Sequence, residues 1–276
     1  MIEKSPERLE ILKRISEFEK QGWWEKDVED DPPTVELLPN QIDYLNKKLS
    51  SKIKTFFANI AGTNFFEKLI KNKGLIIKEV KGIENFLAVR SGAIITCNHF
   101  NACDNYAVWK AIKPYMHGKK LWKVIREGNY TNSPPPFGFV MRNCNTLPLS
   151  SNTETMKNFM LAVKTLLKRG EKILIYPEQG MWWNYRKPRP MQDGAFNLAV
   201  SNSAPIIPVF ITMEDSEIVG PDGFFVQAYT VNILPAIYPD ENLKRKERVK
   251  KLKDENYECF KNTYEQFYKI KLTYEK

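Results

Sequence analysis

A histidine followed five positions later by an aspartate is the strongest indication of chemistry in this chain. The chain has only two histidines. His99 comes shortly after Ala93 to Cys97, an apolar run whose β-branched residues predict a strand, and Asp104 opens a segment with helical spacing. An imidazole held by a carboxylate through one ring nitrogen is a competent general base near neutral pH. The pattern predicts a base on a strand-to-helix loop, and the structural alternative is a loop histidine beside a helix-capping aspartate.

Composition and charge limit the classes to which the chain can belong. Its 276 residues suffice for one α/β domain with a helical prelude, and the net charge of +9 implies anionic partners: nucleic acid, an acidic membrane surface or phosphorylated substrates. The four cysteines show neither CxxC pairing nor a neighbouring histidine cluster, so we expect neither a disulfide framework nor a metal site. This use of cysteine fits a protein of the reducing cytoplasm. No run of about 18 uncharged apolar residues occurs, so we expect a soluble or peripheral protein.

Periodicity along the chain predicts strands that alternate with helices. The predicted strands are Leu75 to Val80, Ala93 to Cys97, Lys120 to Ile125, Lys172 to Tyr176, Pro205 to Ile211 and Phe225 to Leu234. The predicted helices are Pro6 to Lys20, Gln41 to Lys73, Thr153 to Arg169, Gly194 to Ser201 and Leu243 to Lys276. The proline-rich stretch from Glu127 to Phe137 is predicted to lack regular structure. This alternation favours a largely parallel sheet, in which His99 and Glu178 would both follow the carboxyl ends of strands.

The predicted helix from Gln41 to Lys73 mixes large apolar side chains with lysines. Lysines beside aromatic residues suit a helix that lies on an anionic membrane, whereas an ordinary amphipathic helix packed on the domain is the alternative. The apolar set is Phe56, Phe57, Ile60, Phe65, Phe66, Leu69 and Ile70.

Four short blocks then follow one another along the chain. They are Asn98-His99 with Asp104; Pro136 to Arg142 followed by Leu147-Pro148-Leu149; Tyr176-Pro177-Glu178 with Gly194-Ala195-Phe196 downstream; and Ala204 to Val209. Together they resemble the NHxxxxD, FGxxxR, FPEG and VPIxPV blocks of the PlsC-like glycerolipid acyltransferase family. The best-known members of that family acylate 1-acylglycerol 3-phosphate. The resemblance covers about Leu75 to Tyr238, and four blocks in order are far more specific than any one.

The resemblance implies an architecture. We expect an α/β fold like that of glycerol-3-phosphate acyltransferases, with a mixed, largely parallel sheet flanked by helices and an N-terminal helical segment that docks on the membrane. The corresponding division is an N-terminal segment over 1–73, an acyltransferase core over 74–240 and a C-terminal helix over 241–276.

The resemblance also implies a reaction, transfer of a fatty acyl group from acyl-coenzyme A or acyl carrier protein to the free hydroxyl of a lysophospholipid. The expected acceptor is 1-acylglycerol 3-phosphate, no further cofactor is needed, and the pathway is phospholipid biosynthesis. His99 would act as the base and Asp104 would orient it, while backbone amides near His99 would bind the oxyanion. No GxSxG motif occurs, which argues for direct transfer. The implied substrate-binding residues are Asn98, Gly138, Arg142, Glu178, Gln179 and Gly180.

The third block departs from the family pattern. The family continues Pro-Glu-Gly-Thr-Arg-Ser, whereas this chain has Pro177-Glu178-Gln179-Gly180-Met181-Trp182-Trp183, so the arginine is missing. Arg186, Lys187 and Arg189 are possible replacements, or form a solvated basic loop. The two tryptophans would line a sugar or acyl site, or would be packed or membrane-facing.

Three alternatives therefore stay open. The acceptor is a glycolipid or another lipid with a large headgroup, or the protein is a basic nucleic-acid-binding or lipid-binding protein without catalytic activity. We expect no nucleic-acid partner, because no module signature is present. The expected location is cytoplasmic and peripheral, on the inner face of the cell membrane, whose anionic surface is a further partner.

Overall fold

A seven-stranded sheet forms the centre of residues 2–30 and 34–275, the part of the chain that this computed structural model describes. Its strands are β1 (Ile76–Lys81), β2 (Ala93–Cys97), β3 (Leu121–Ile125), β4 (Thr146–Pro148), β5 (Lys172–Ile175), β6 (Ile206–Val219) and β7 (Phe225–Ile233). They lie in the order β1-β7-β6-β2-β5-β3-β4, with β2 to β6 mutually parallel. Strand β7 is antiparallel to β6 and parallel to β1. The predicted mixed, largely parallel sheet is thereby confirmed.

Helices cover both faces of this sheet. They are α1 (Pro6–Gln21), α2 (Leu49–Lys71), α3 (Ile83–Leu87), α4 (Asp104–Ile112), α5 (Glu127–Thr131), α6 (Phe137–Asn143), α7 (Thr153–Lys168), α8 (Gly194–Ser201) and α9 (Arg245–Tyr268). Successive side chains of a strand point to opposite faces. Accordingly Ile94 packs with residues of α7, α8 and α9, whereas Ile95 packs with residues of α3 and α4. Strand β2 is buried along its whole length, which fixes the loop that follows it.

Three predictions about local structure are wrong in part, and one of them concerns the C-terminal helix, which ends at Tyr268 because Lys269 adopts a left-handed φ of 58°. The chain from Gln41 to Lys48 is not continuous α-helix, because the Asp43 carboxylate accepts the Lys48 amide at 2.8 Å and Asn46 adopts a left-handed φ of 49°. The stretch from Glu127 to Phe137 is not wholly irregular, since it contains α5 and the start of α6. The buried Glu127 carboxylate accepts the Leu37 amide at 2.7 Å, a distant contact that sequence periodicity does not report.

The N-terminal helices lie in different surroundings. Helix α1 packs through Ile11 and Ile15 against Trp182 and Trp183, so the packed interpretation of both tryptophans is confirmed. Helix α2 exposes Leu49, Ile53, Phe56, Phe57, Ile60 and Phe65, while its predicted apolar residues Phe66, Leu69 and Ile70 pack against the core. Among the described residues, no helix combines the length and the apolarity that crossing a membrane requires. Residues 1, 31–33 and 276 of the predicted terminal segments lie outside the described ranges.

Candidate active site

Asn98 fixes the chain at the point where β2 ends. Its side-chain amide donates to the Ile211 carbonyl at 3.0 Å and its side-chain oxygen accepts the Ile211 amide at 2.8 Å. These two bonds continue the pairing of β2 with β6 by one residue, and Asn98 is buried. Its polar atoms therefore hold the backbone that carries His99 and are directed into the protein.

His99 and Asp104 meet as the spacing predicts. The Nδ1 atom of His99 lies 2.7 Å from Oδ2 of Asp104, which also accepts the amides of Phe100 at 3.1 Å and Asn101 at 3.3 Å. Asp104 is fully buried, whereas 21% of the His99 side chain is exposed. Because an ionised carboxylate only accepts hydrogen bonds, the proton sits on Nδ1 and Nε2 is left as an acceptor. The arrangement presents a basic nitrogen from a fixed ring.

Tyr176 is a third member of this group that sequence reasoning missed. Its hydroxyl donates to the other carboxylate oxygen of Asp104 at 2.5 Å, and its ring stacks on His99 with centroids 3.9 Å apart. Burial and the nearby Asp104 carboxylate raise the pKa of Tyr176 well above its ordinary value, so the phenol stays protonated. The available signal was the tyrosine that stands where the third block of the family has phenylalanine.

Glu178 faces inward beneath the same loop. Its carboxylate accepts the His99 amide at 3.3 Å, the Arg189 amide at 2.9 Å and the Arg189 guanidinium at 3.2 Å. Burial raises the pKa of Glu178 and the positive charge of Arg189 opposes that rise. The Glu178 carboxylate thus anchors a basic neighbour, Arg189, and the loop that carries His99.

Arg189 is a buried residue and not part of a solvated basic loop. Its guanidinium also donates to the carbonyls of Gly180, Trp24 and His99, and it stacks over the Trp182 ring at 4.7 Å. Burial lowers the pKa of Arg189, and Glu178 counters that effect. Neither alternative that the sequence suggests for Arg189, a replacement for the missing arginine or a place in a solvated loop, includes this burial.

The loop of the third block is bonded directly to the loop that carries His99. The Trp182 amide donates to the His99 carbonyl at 3.1 Å, and the Asn184 amide donates to the Phe100 carbonyl at 2.9 Å. Gln179 is exposed at a left-handed φ of 66°, which turns the chain so that Gly180 is buried beside it. The predicted residues Asn98, Glu178, Gln179 and Gly180 therefore share one region with the histidine.

The second block occupies a different part of the surface. A Cβ on Gly138 would lie 1.9 Å from the Ser133 carbonyl oxygen, so glycine is required where α6 begins. The Arg142 guanidinium donates to the carbonyls of Tyr130 at 3.2 Å and Ser133 at 3.3 Å. Within the described ranges, no hydrogen bond or ion pair joins Gly138 or Arg142 to His99, Asp104 or the third block. Both residues shape the segment between β3 and β4.

A cavity of about 820 Å³ lies at the amino-terminal half of β3, between that strand and α2. Phe56, Ile60, Trp109 and Trp122 form apolar parts of its lining. Neither the histidine nor its carboxylate partner lines it. The His99 ring is therefore reached from its exposed side, and not through this cavity.

Comparison with known proteins agrees with this geometry. The family model described as "Acyltransferase" matches residues 78–212, a range that includes His99, Asp104 and the third block. The matched residues make up just under half of the chain. The predicted family and the predicted enzyme class, an acyltransferase, are thereby confirmed.

A solved structure supports the fold of this acyltransferase. The 1-acyl-sn-glycerophosphate (LPA) acyltransferase PlsC from Thermotoga maritima is similar to it with a TM-score of 0.50 and 17% sequence identity, over 81% of each chain. A comparison with curated proteins finds no match. At this identity the likeness concerns the fold, and the substrate must be argued from the site itself.

Proposed function

We propose that this acyltransferase moves a fatty acyl group from an acyl thioester to the free hydroxyl of a lysophospholipid, with His99 as the general base. The observation that carries the proposal is the bond between His99 Nδ1 and the buried Asp104 at 2.7 Å, which leaves Nε2 free to accept a proton. The donors are acyl-coenzyme A or acyl carrier protein, both of which are anionic and suit a chain with a net charge of +9.

The reaction follows from the properties of these groups. His99 Nε2 takes the proton of the acceptor's hydroxyl as its oxygen attacks the thioester carbonyl carbon, and a tetrahedral oxyanion forms. The carbon–sulfur bond then breaks, the thiolate leaves, and the imidazolium returns the proton to sulfur. Asp104 stabilises the imidazolium in the meantime, as the carboxylate of a serine hydrolase triad does. The products are an ester and a free thiol.

The hydrogen bonds that stabilise the oxyanion must come from donors other than the three backbone amides nearest His99. The amides of His99, Phe100 and Asn101 are bonded to the carboxylates of Glu178 and Asp104. The proposed oxyanion therefore still needs backbone donors, whereas these three amides serve to position the loop and the two carboxylates.

The proposal also concerns which headgroup the acceptor carries. The resemblance favours 1-acylglycerol 3-phosphate, and the similar structure from Thermotoga maritima is that of a 1-acyl-sn-glycerophosphate acyltransferase. A second candidate, an acceptor with another headgroup, is favoured by one observation: cations near the third block are paired within the protein. Arg189 bonds to Glu178, Arg186 to Asp215 at 2.6 Å and Lys187 to Glu19 at 2.6 Å.

Binding to a membrane is proposed for one face of α2. Leu49, Ile53, Phe56, Phe57 and Ile60 follow one another at helical spacing and are all more than 40% exposed. Lysines on the same helix suit anionic headgroups. We propose that the enzyme is peripheral, on the inner face of the cell membrane, where cytoplasmic thioesters and membrane acceptors meet. A helix face that binds lipid also favours an acyltransferase with a lipid acceptor over a nucleic-acid-binding protein.

The test is acceptor-dependent thiol release from a long-chain acyl donor. Wild type is compared with His99→Asn and with His117→Asn, which changes the chain's other histidine, an exposed residue at φ 46°, a conformation that asparagine tolerates. Because the general base is lost, the rate of acceptor-dependent thiol release should fall by about 10²-fold to 10⁴-fold in His99→Asn. His117→Asn should show no comparable decrease in this rate.

Two results would contradict the proposal. One is thiol release that persists in His99→Asn, which would remove His99 as the base. The other is release that does not depend on any acceptor, which would indicate thioester hydrolysis.

A further inference from the structure

One wall of the cavity of about 820 Å³ beside β3 is a single face of α2. The α2 residues that line it lie between Lys52 and Asn64, at the three-residue and four-residue spacing that places side chains on one side of a helix. The opposite wall includes Trp109 near the end of α4, Trp122 on β3 and Leu166 on α7. We call this cavity the α2 groove, because that helix borders it over about three turns.

The α2 groove lies apart from His99. His99 follows the carboxyl end of β2, whereas Lys120 and Glu171, which line the groove, directly precede the amino ends of β3 and β5. These three strands are parallel, so the groove and the histidine lie toward opposite ends of the strands. Among the described residues, none that lines the groove belongs to the four blocks. An occupant of the groove is therefore separate from the groups of the proposed reaction.

Positive charge predominates in the groove. Its lining contains four cationic side chains and one carboxylate, that of Glu171, which accepts the backbone amide of Lys120. Within the described ranges, none of the four cations forms an ion pair, unlike the cations near the third block. Unpaired cations around a concave surface attract an anionic ligand. The four are Lys52, Lys113, Lys120 and Arg169.

The apolar lining of the groove includes a hydrogen-bond donor without an acceptor. Trp122 is only 4% exposed, and its Nε1 has no hydrogen-bond partner in the part of the chain that the structure describes. Buried donors are nearly always bonded, because leaving one unpaired costs free energy. An oxygen atom of a bound ligand would accept this N–H. The groove therefore suits a ligand that combines apolar chains, polar oxygens and a negative charge.

The groove adjoins the face of α2 that is proposed to bind the membrane. Phe56 and Ile60 line the groove and also belong to that face, where they are 62% and 43% exposed. An acyl chain can thus pass from a bilayer into the groove along apolar side chains. The volume of the groove also lies within the range of about 300–1,000 Å³ that is typical of ligand sites.

We propose that the α2 groove binds one diacyl phospholipid with an anionic headgroup, taken from the membrane. The acyl chains pack on Phe56, Ile60 and Trp109, and the headgroup lies among the four cationic side chains. Because both acyl positions of this lipid are already filled, it is not the acceptor of the proposed reaction. It holds α2 on anionic membranes whether or not acyl transfer takes place.

The test measures binding of dissolved lipid, so that no bilayer is present. Isothermal titration calorimetry compares anionic dihexanoylphosphatidylglycerol with zwitterionic dihexanoylphosphatidylcholine, both below their critical micelle concentrations. The anionic lipid should bind at one site per chain and about tenfold more tightly at low salt, the size of one charge-assisted bond. This difference should shrink as salt is added, because the cationic side chains are exposed. Equal affinities for the two lipids would overturn the inference.

Two matched pairs of variants on α2 locate the site. Lys52 and Lys68 are both exposed, but only Lys52 lines the groove. Lys52→Gln should therefore weaken binding of the anionic lipid by at least about threefold, and Lys68→Gln should leave it unchanged. Phe56 and Phe57 are adjacent and similarly exposed, but only Phe56 lines the groove. Phe56→Ser should weaken binding of both lipids by about tenfold, and Phe57→Ser should not.

The outcome of these measurements does not depend on the proposed function. His99→Asn should bind the anionic lipid as tightly as wild type does, because the groove lies toward the other end of the strands. Weaker binding in His99→Asn would place the lipid at the site of acyl transfer and would overturn the inference. Equal losses within either matched pair would also overturn it, by showing that the lipid binds α2 without using the groove.

Discussion

Arg189→Met tests the buried ion pair beneath the loop that carries His99. The side chains of Arg189 and Glu178 are only 1% and 2% exposed, and methionine retains most of the arginine's volume. Removing one partner of a buried pair leaves an uncompensated charge and costs about 3–5 kcal/mol. The substitution also removes the bonds to the Gly180 and Trp24 carbonyls. We therefore expect the free energy of unfolding to fall by about 4 kcal/mol at neutral pH.

The pH dependence gives this prediction a distinct signature. Burial raises the pKa of Glu178 in the folded protein, and the Arg189 charge is the main influence that lowers it. Without Arg189, the folded-state pKa rises further above its unfolded value. A group with a raised folded-state pKa contributes stability below its unfolded pKa and loses it as pH rises through the folded one. The loss of unfolding free energy in Arg189→Met should therefore be smallest in acid, near the ordinary pKa of Glu178. It should grow as the pH rises toward neutral.

The assay is urea unfolding of wild type and variant at several pH values. Lys250→Met is the matched control, because Lys250 and Asp254 form a pair on α9 whose side chains are 77% and 54% exposed. Its loss should cost no more than about 0.5 kcal/mol. Adding Glu178→Gln to Arg189→Met should restore part of the lost stability. If Arg189→Met loses no more unfolding free energy than Lys250→Met, Arg189 is not the counter-ion of Glu178. A loss of unfolding free energy that stays constant with pH would refute that role as well.

Two further variants, one single and one double, address the proposed active site and membrane binding. Tyr176→Phe keeps the ring but removes the donor to Asp104, so kcat should fall by about tenfold with little change in KM, and a rise in KM alone would contradict this role. Replacing Phe56 and Phe57 together by serine should weaken sedimentation with anionic vesicles by at least about tenfold. Phe225→Ser, a change of an exposed phenylalanine at the start of β7, is the control, and an equal loss there would argue against docking through α2.

The pair of His99 and Asp104 is the part of the site that the sequence determined. His99 and Asp104 stand on one short connection between a buried strand and a helix, so their approach depends on local geometry alone. The apolar runs likewise predicted β2, β5 and α8 closely, because hydrophobic period and length are local properties. The boundaries of α2 were less predictable, since a single side-chain contact from Asp43 competes with the helix before Leu49.

The surroundings of that pair were decided only by the tertiary structure. Tyr176 lies 72 positions from the aspartate that it contacts, and Asp27 lies 99 positions from Arg126. Such partners meet because β2, β5 and β3 are neighbours in the sheet and because residues 23–30 contact the segments that follow β3 and β5. Hydrophobic periodicity reports which face of an element is buried, but it does not report which distant polar group lies opposite. For that reason the sequence indicated a base and its carboxylate, whereas the fold decided whether each nearby arginine meets the substrate or a carboxylate of the protein itself.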